Sequence, residues 1–183
     1  RDELFDAMRA KETYATSGTR IQVRFFAGFD LDDDLLSDPN WIKSAYAKGV
    51  PMGGKLTTRE DRNPTFIVHA SKDALAANLD RIQVIKGWVD NKGKSHEKIF
   101  DVALSPSREA KSDTAQPNSV GNTVDVTSAT YTNTIGSPQL SGTWQDPEYN
   151  PEQHAFYYAR VLEIPTPRWS TYDAKTLGIE APQ

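Results

Sequence analysis

The 183 residues contain no cysteine. That excludes a disulfide framework, a thiol nucleophile and any cysteine-ligated zinc or iron–sulfur centre. Positive charge is not in surplus either: 21 Lys and Arg stand against 25 Asp and Glu, a net charge of −4. Binding through phosphate neutralisation needs a basic excess, so no nucleic-acid partner is expected. No apolar run approaches the ~20 residues of a membrane-spanning helix, so no membrane span is expected. Histidine is scarce. His69, His96 and His154 are far apart and form no His-x-His or His-Glu-x-x-His pair, so spacing alone names no metal site.

What is present reads as one mainly β domain with a helical lead. A chain this long buries roughly 70% of the surface its unfolded form exposes, enough for a core without disulfides. Eleven Gly and eleven Pro are scattered between short β-rich runs, as turns are between strands. At the start, Leu4, Phe5 and Met8 recur at helical spacing, with Asp2 and Glu3 first and Arg9 and Lys11 last. That charge order complements a helix dipole and predicts a helix of about three turns. Residues 12–16 read as extended and 17–19 as a turn.

In 20–26, Ile21, Val23 and Phe25 alternate with Gln22, Arg24 and Phe26, a strand with one clearly apolar face. A helix is predicted near 39–48, with Asp38 as cap, Pro39 at its first position and Gly49 as its stop. Further strands are predicted at 65–70, 81–89, 94–104, 124–131, 140–144 and 155–164, with a tight hairpin at 90–93. The last run does not alternate strictly, which fits a strand buried on both faces or a bulge. The polar stretch 105–118 reads as a long loop. The sum predicts a two-layer β-sandwich with one inserted helix.

Several groups carry possible chemistry, each beside a plainer reading. Asp30, Asp32 and Asp34 alternate like the start of a calcium loop, but the glycine and distal glutamate of such a loop are missing, and a solvated loop explains them equally. His69 lies mid-strand, facing opposite to Phe66 and Val68, and reads as structural or surface. His96 opens a strand after a hairpin and reads as exposed; His154 reads as a strand edge. In Ser17-Gly18-Thr19-Arg20, small residues could offer backbone N–H groups to an anion that Arg20 clamps; the alternative is a tight turn whose arginine meets a local acid. Trp88, Trp144 and Trp169 could stack on a sugar if exposed, or seal the sandwich if buried. No catalytic triad follows from spacing.

The runs 14–20 (YATSGTR), 23–26 (VRFF), 46–54 (YAKGVPMGG), 78–83 (NLDRIQ), 86–90 (KGWVD), 131–136 (YTNTIG) and 156–169 (FYYARVLEIPTPRW) closely resemble, in order, the C-terminal part of the bacterial domain-of-unknown-function 3604 family. That family is similar to the PHP (polymerase and histidinol phosphatase) metal-dependent hydrolases. The resemblance implies a longer parent, in the periplasm or secreted, whose upstream (β/α) barrel holds divalent metals and hydrolyses a phosphate or sulfate ester with metal-activated water. Its ligand motifs are not in this chain, so no metal ligand and no catalytic residue is carried over, and no cofactor is expected here.

The resemblance makes residues 1–19 the last helix and strand of that barrel, and 20–183 a β-sandwich C-terminal domain. Barrel enzymes place chemistry at the carboxyl ends of their strands, so Thr16, Ser17 and Arg20 are expected to face the substrate side. The chain is then an accessory region, not catalytic by itself, partnered by the barrel. The alternatives are a glycan- or polymer-binding module and a structural domain that forms homo-oligomers through its leading helix.

Overall fold

Alternation in the first strand sets the architecture. The computed structural model describes residues 1–106 and 119–181. Its elements are α1 (Asp2–Arg9), β1 (Gln22–Gly28), α2 (Trp41–Lys48), β2 (Val50–Pro51), β3 (Thr65–Ser71), β4 (Leu79–Val89), β5 (Ser95–Leu104), β6 (Gln139–Gln145), β7 (Ala155–Glu163) and α3 (Trp169–Leu177), with one 3-10 turn at Leu35–Ser37. The strands form two antiparallel sheets, ordered β2-β1-β3-β6 and β5-β4-β7. The fold is mainly β, as expected.

The register aligns Val23 with Ala70 and Leu140, and Phe25 with Val68 and Gly142. These residues share one face because side chains alternate along a strand. That face meets Ile82, Ala103, Ala159 and Val161 of the second sheet in one apolar core. Each fully buried aliphatic side chain there contributes about 1.5–3 kcal/mol. The opposite face of the first sheet is also covered. Phe26 and Ile67 point the other way and pack under Leu31, Leu35 and Ala45, with Phe26 edge-on to Trp41 and Tyr46. The inserted helix is thus a third layer over one sheet only.

Among the described residues no helix covers the second sheet in this way. β4 is its central strand, and it is buried on both faces along most of its length. Its outer face is shielded by neighbours leaning across it. A Cβ on Gly87 would stand 2.3 Å from Phe156 Cζ, so only glycine admits that ring. The two-faced burial expected for 155–164 therefore belongs to β4. β7 is an edge strand with Phe156 and Tyr158 exposed. The extra residue in the β4–β7 pair is on β4 as well, where Asp80 is passed over between Leu79 and Arg81; in the β4–β5 pair it is Val102, on β5.

Three other expectations change. The strand predicted at 124–131 is a turn closed by a single bridge, Asp125 to Thr130. The Asp125 carboxylate accepts from the Thr127 and Ser128 N–H groups and the Ser128 hydroxyl, so local side-chain bonds replace a ladder. α2 begins at Trp41; Asp38 bonds the Asn40 N–H and Pro39 stays outside the helix. α3 is not among the predicted elements, where only Trp169 is singled out. It begins after Pro165 and Pro167 and ends at Gly178, which is left-handed at φ +66°, the usual helix stop. Within the predicted loop 105–118, residues 107–118 lie outside the described residues. No helix of the described residues is long and apolar enough to cross a membrane.

Candidate functional site

The Thr16–Arg20 turn sits at the end of the sandwich where β3 and β7 finish and β1 and β4 start. Residues 12–16 join no ladder, and the Tyr14 hydroxyl ties them to β1 by donating to the Ile21 carbonyl at 3.2 Å. Gly18 turns the chain at φ +102°, a left-handed value that favours glycine. Thr16 and Ser17 are exposed, and among the described residues neither hydroxyl has a hydrogen-bond partner. The structure therefore presents these two to solvent without building a pocket around them.

Arg20 is better anchored. Its backbone N–H donates to Asp73 Oδ2 at 3.0 Å, and the Leu75 N–H donates to Asp73 Oδ1 at 3.0 Å. These backbone N–H groups, Leu75 first, hold the Asp73 carboxyl below its usual range. The Arg20 side chain is exposed and makes no ion pair among the described residues. Asp73, the local acid foreseen as its partner, is bound by the Arg20 main chain and is also lowered by the Arg20 charge.

Spacing did not reveal Glu163. It ends β7, opposite Leu79, and lies beside Thr19 and Asp73. Burial pushes its carboxyl up, the Thr19 hydroxyl pulls it down and the Asp73 charge adds to the rise. Oε1 is buried with no hydrogen-bond partner. Tyr131 stands nearby, and its hydroxyl is pushed up first by burial and then by Glu163. The floor beneath is well tied. Asn78 donates twice to the 133–135 segment, from its backbone N–H to Asn133 Oδ1 at 2.8 Å and from its side-chain amide to the Ile135 carbonyl at 2.9 Å. Two of the runs that carry the resemblance, 78–83 and 131–136, meet there.

The opposite end holds a different ionic group. Lys86 points from β4 into the sandwich with 2% of its side chain exposed. Its Nζ donates to Asp146 Oδ2 at 2.6 Å and to the Glu148 carbonyl at 2.7 Å. The Tyr157 hydroxyl donates to the same Oδ2 at 2.6 Å, and the Glu148 N–H to Oδ1 at 2.9 Å. Burial, then the bond to Asp146, keeps that phenol neutral. Every charged atom is partnered and no substrate reaches it, so this group clamps the β6–β7 connection.

The remaining candidates are occupied by protein partners. Asp30 pairs with Arg59 and Arg62, and Asp32 with Lys48, so two of the three alternating aspartates form surface ion pairs. His69 faces away from Phe66 and Val68 as expected, against Trp41 and the Ser71 hydroxyl; burial first, and then Arg24, lower its pKa. His96, expected to be exposed, is half-buried, stacked on Trp88 and bonded to Asp90 at 2.7 Å. His154 is exposed, just before β7. Among the described residues no three His, Asp or Glu side chains gather to hold a metal ion. Of the three tryptophans, Trp144 packs among Phe66, Phe100 and Tyr157, Trp88 is half-buried, and Trp169 is 83% exposed.

No curated protein and no solved structure matches the chain. The family model described as a protein of unknown function, DUF3604, matches residues 1–183, the full length read here, and the chain belongs to that family.

Proposed function

We propose that the chain is an accessory β-sandwich that packs through α1 against an upstream catalytic unit, a metal-dependent phosphate or sulfate ester hydrolase. In this reading residues 1–19 belong with that unit, and the Thr16–Arg20 turn faces its substrate side. The observation that carries it is α1. Leu4, Phe5 and Met8 are 62%, 58% and 54% exposed, and no residue of the helix is buried. An amphipathic helix is stable mainly through burial of its apolar face, and eight residues in water hold few internal bonds of their own. The sandwich does not cover that face, so a second surface must. The strand-like segment 12–16, which joins no ladder among the described residues, points the same way.

The test joins the parent protein and this chain. In the parent, Leu4→Asp with Met8→Asp should lower aryl phosphate or aryl sulfate hydrolysis at least tenfold, while the thermal unfolding of the isolated chain stays unchanged. Arg20→Ala should raise KM for an anionic ester. Turnover of either ester by the isolated chain with added divalent metal would overturn the accessory role. Hydrolysis by the parent that is indifferent to both α1 substitutions would remove the docking role of α1. A glycan-binding reading rests on Trp169 and Tyr172, whose rings stand 6.0 Å apart on α3; a glycan array on the isolated chain tests it separately.

A further inference from the structure

Strand pairing in the first sheet stops short on one side. Every residue of β3 from Thr65 to Ser71 is paired on both flanks, by β1 and by β6. β1 is not. β2 reaches only Phe26 and Ala27, so among the described residues Gln22–Phe25 are paired with β3 alone. An open strand edge presents a row of unmet N–H and C=O groups, which folded proteins usually cover, bend away or guard with charge. Here the chain passes the edge without joining it. Residues 12–16 run nearby but form no ladder, and a cleft of about 340 Å³ remains between Glu12 and the strand. That volume is within the ~300–1,000 Å³ range of ligand-binding clefts. Beyond β1 the lining is Tyr46, Pro51 and Met52, an apolar wall beside a backbone edge.

We infer that the open half of β1 is a strand-addition site for an extended segment of a partner polypeptide. The segment runs antiparallel to β1, continues the line of β2 and covers about four residues, or ~13 Å of strand. Main-chain bonds to Gln22–Phe25 supply affinity, and alternate side chains pack on Tyr46, Pro51 and Met52. Charge sets the direction. Glu12 and Arg24 both line the cleft, and neither has an ion-pair partner among the described residues. The segment therefore carries one basic side chain toward Glu12 and one acidic side chain toward Arg24. This inference uses neither α1 nor any ester substrate, but it shares Glu12 with the 1–19 segment that the ester-hydrolase reading assigns to the upstream unit.

The probe is a displayed library of eight-residue peptides selected on the 183-residue chain. Selected sequences should alternate apolar and polar residues and contain one acid and one base. They should slow hydrogen exchange of amides within Gln22–Phe25 at least tenfold. Arg24→Glu should weaken an acid-bearing peptide at least tenfold, and reversing the peptide's acid to lysine should restore binding. N-methylation of the central peptide amides should abolish it. The inference fails if no peptide slows exchange at Gln22–Phe25, or if N-methylated peptides bind as well as the parent peptides. It also fails if those amides are as protected in the free chain as those of β3, because the edge is then already covered by residues 12–16. Protection that rises with protein concentration alone would assign the edge to a second copy instead.

Discussion

Asp146 and Glu163 are both carboxylates at the rim of one sandwich, and they sit at opposite ends of it. Asp146 is fully buried, and both its oxygens are met by Lys86, Tyr157 and the Glu148 backbone. Glu163 is half-buried, and one oxygen has no partner. A buried charge survives where its partners replace the water it lost; where they do not, ionisation is penalised instead. The first group is complete and structural. The second is incomplete, and it adjoins the Thr16–Arg20 turn, whose arginine side chain makes no salt bridge among the described residues. The difference marks the Glu163 end as the side of the domain built to meet something else.

The largest effect is expected where the charge is complete. Asp146→Asn should lower the unfolding free energy by about 3–5 kcal/mol, because it leaves the Lys86 ammonium buried without its counter-ion. The double variant Lys86→Met with Asp146→Asn should recover much of that loss, since no isolated charge is then buried. Urea unfolding near neutral pH, with equal slopes checked across the series, measures both. A loss under about 1 kcal/mol in the single variant would show that water reaches the pair, and the contrast between the two ends would vanish.

A smaller effect should follow at the same end from Tyr157→Phe. It removes one hydrogen bond to the Asp146 carboxylate and leaves the Lys86 and Glu148 bonds in place. Hydrogen bonds to charged groups contribute about 1.5–3 kcal/mol, and the ring's packing on Phe66 at 4.5 Å is retained. The expected loss is about 2 kcal/mol by the same urea measurement. An effect as large as that of Asp146→Asn would mean that the hydroxyl, and not Lys86, holds the β6–β7 connection.

The two ends also differ in how much of them could be read before the structure. The strands around the core follow from period-two alternation, as in Val23 and Phe25, and the hairpin at 90–93 from its Asp and Gly. The turn at 17–19 was legible because serine, glycine and threonine in sequence disfavour regular structure. β4 was legible as a strand at 81–89, but the burial of its polar residues was not. Gln83 and Lys86, on opposite faces, are held inside by partners far along the chain: Asp101 and Arg160 for Gln83, and Asp146 for Lys86. Local pattern cannot show such pairings, because they are made by topology. α3 was hidden for another reason. It buries only Thr171 and Ala174, so it has almost no apolar stripe to read. Glu163 was invisible on both counts, as a polar residue at the end of an edge strand whose importance lies in what fails to pair with it.

The smallest effect, and the most diagnostic, belongs to Glu163→Gln. Burial raises the carboxyl above its ordinary range in the folded chain, so the folded state holds the proton more tightly than the unfolded one. The stability this supplies is fully present below the unfolded value, about pH 4, and is lost as pH rises through the raised folded value. Near neutrality the folded chain carries an ionised group it would rather keep neutral, whereas glutamine carries no charge. The variant should therefore be more stable than the parent chain at pH 7, with the gap closing toward pH 4. Glu163 is half-exposed and solvent screens it, so the gain is expected to stay below about 1 kcal/mol. Urea titrations at a series of pH values read it directly. A gap that did not change with pH would assign the effect to packing, and Glu163 would then be no more incomplete than Asp146. A gap that closes with acid, and that also shrinks when the upstream unit is bound, would identify that unit as what completes the carboxylate.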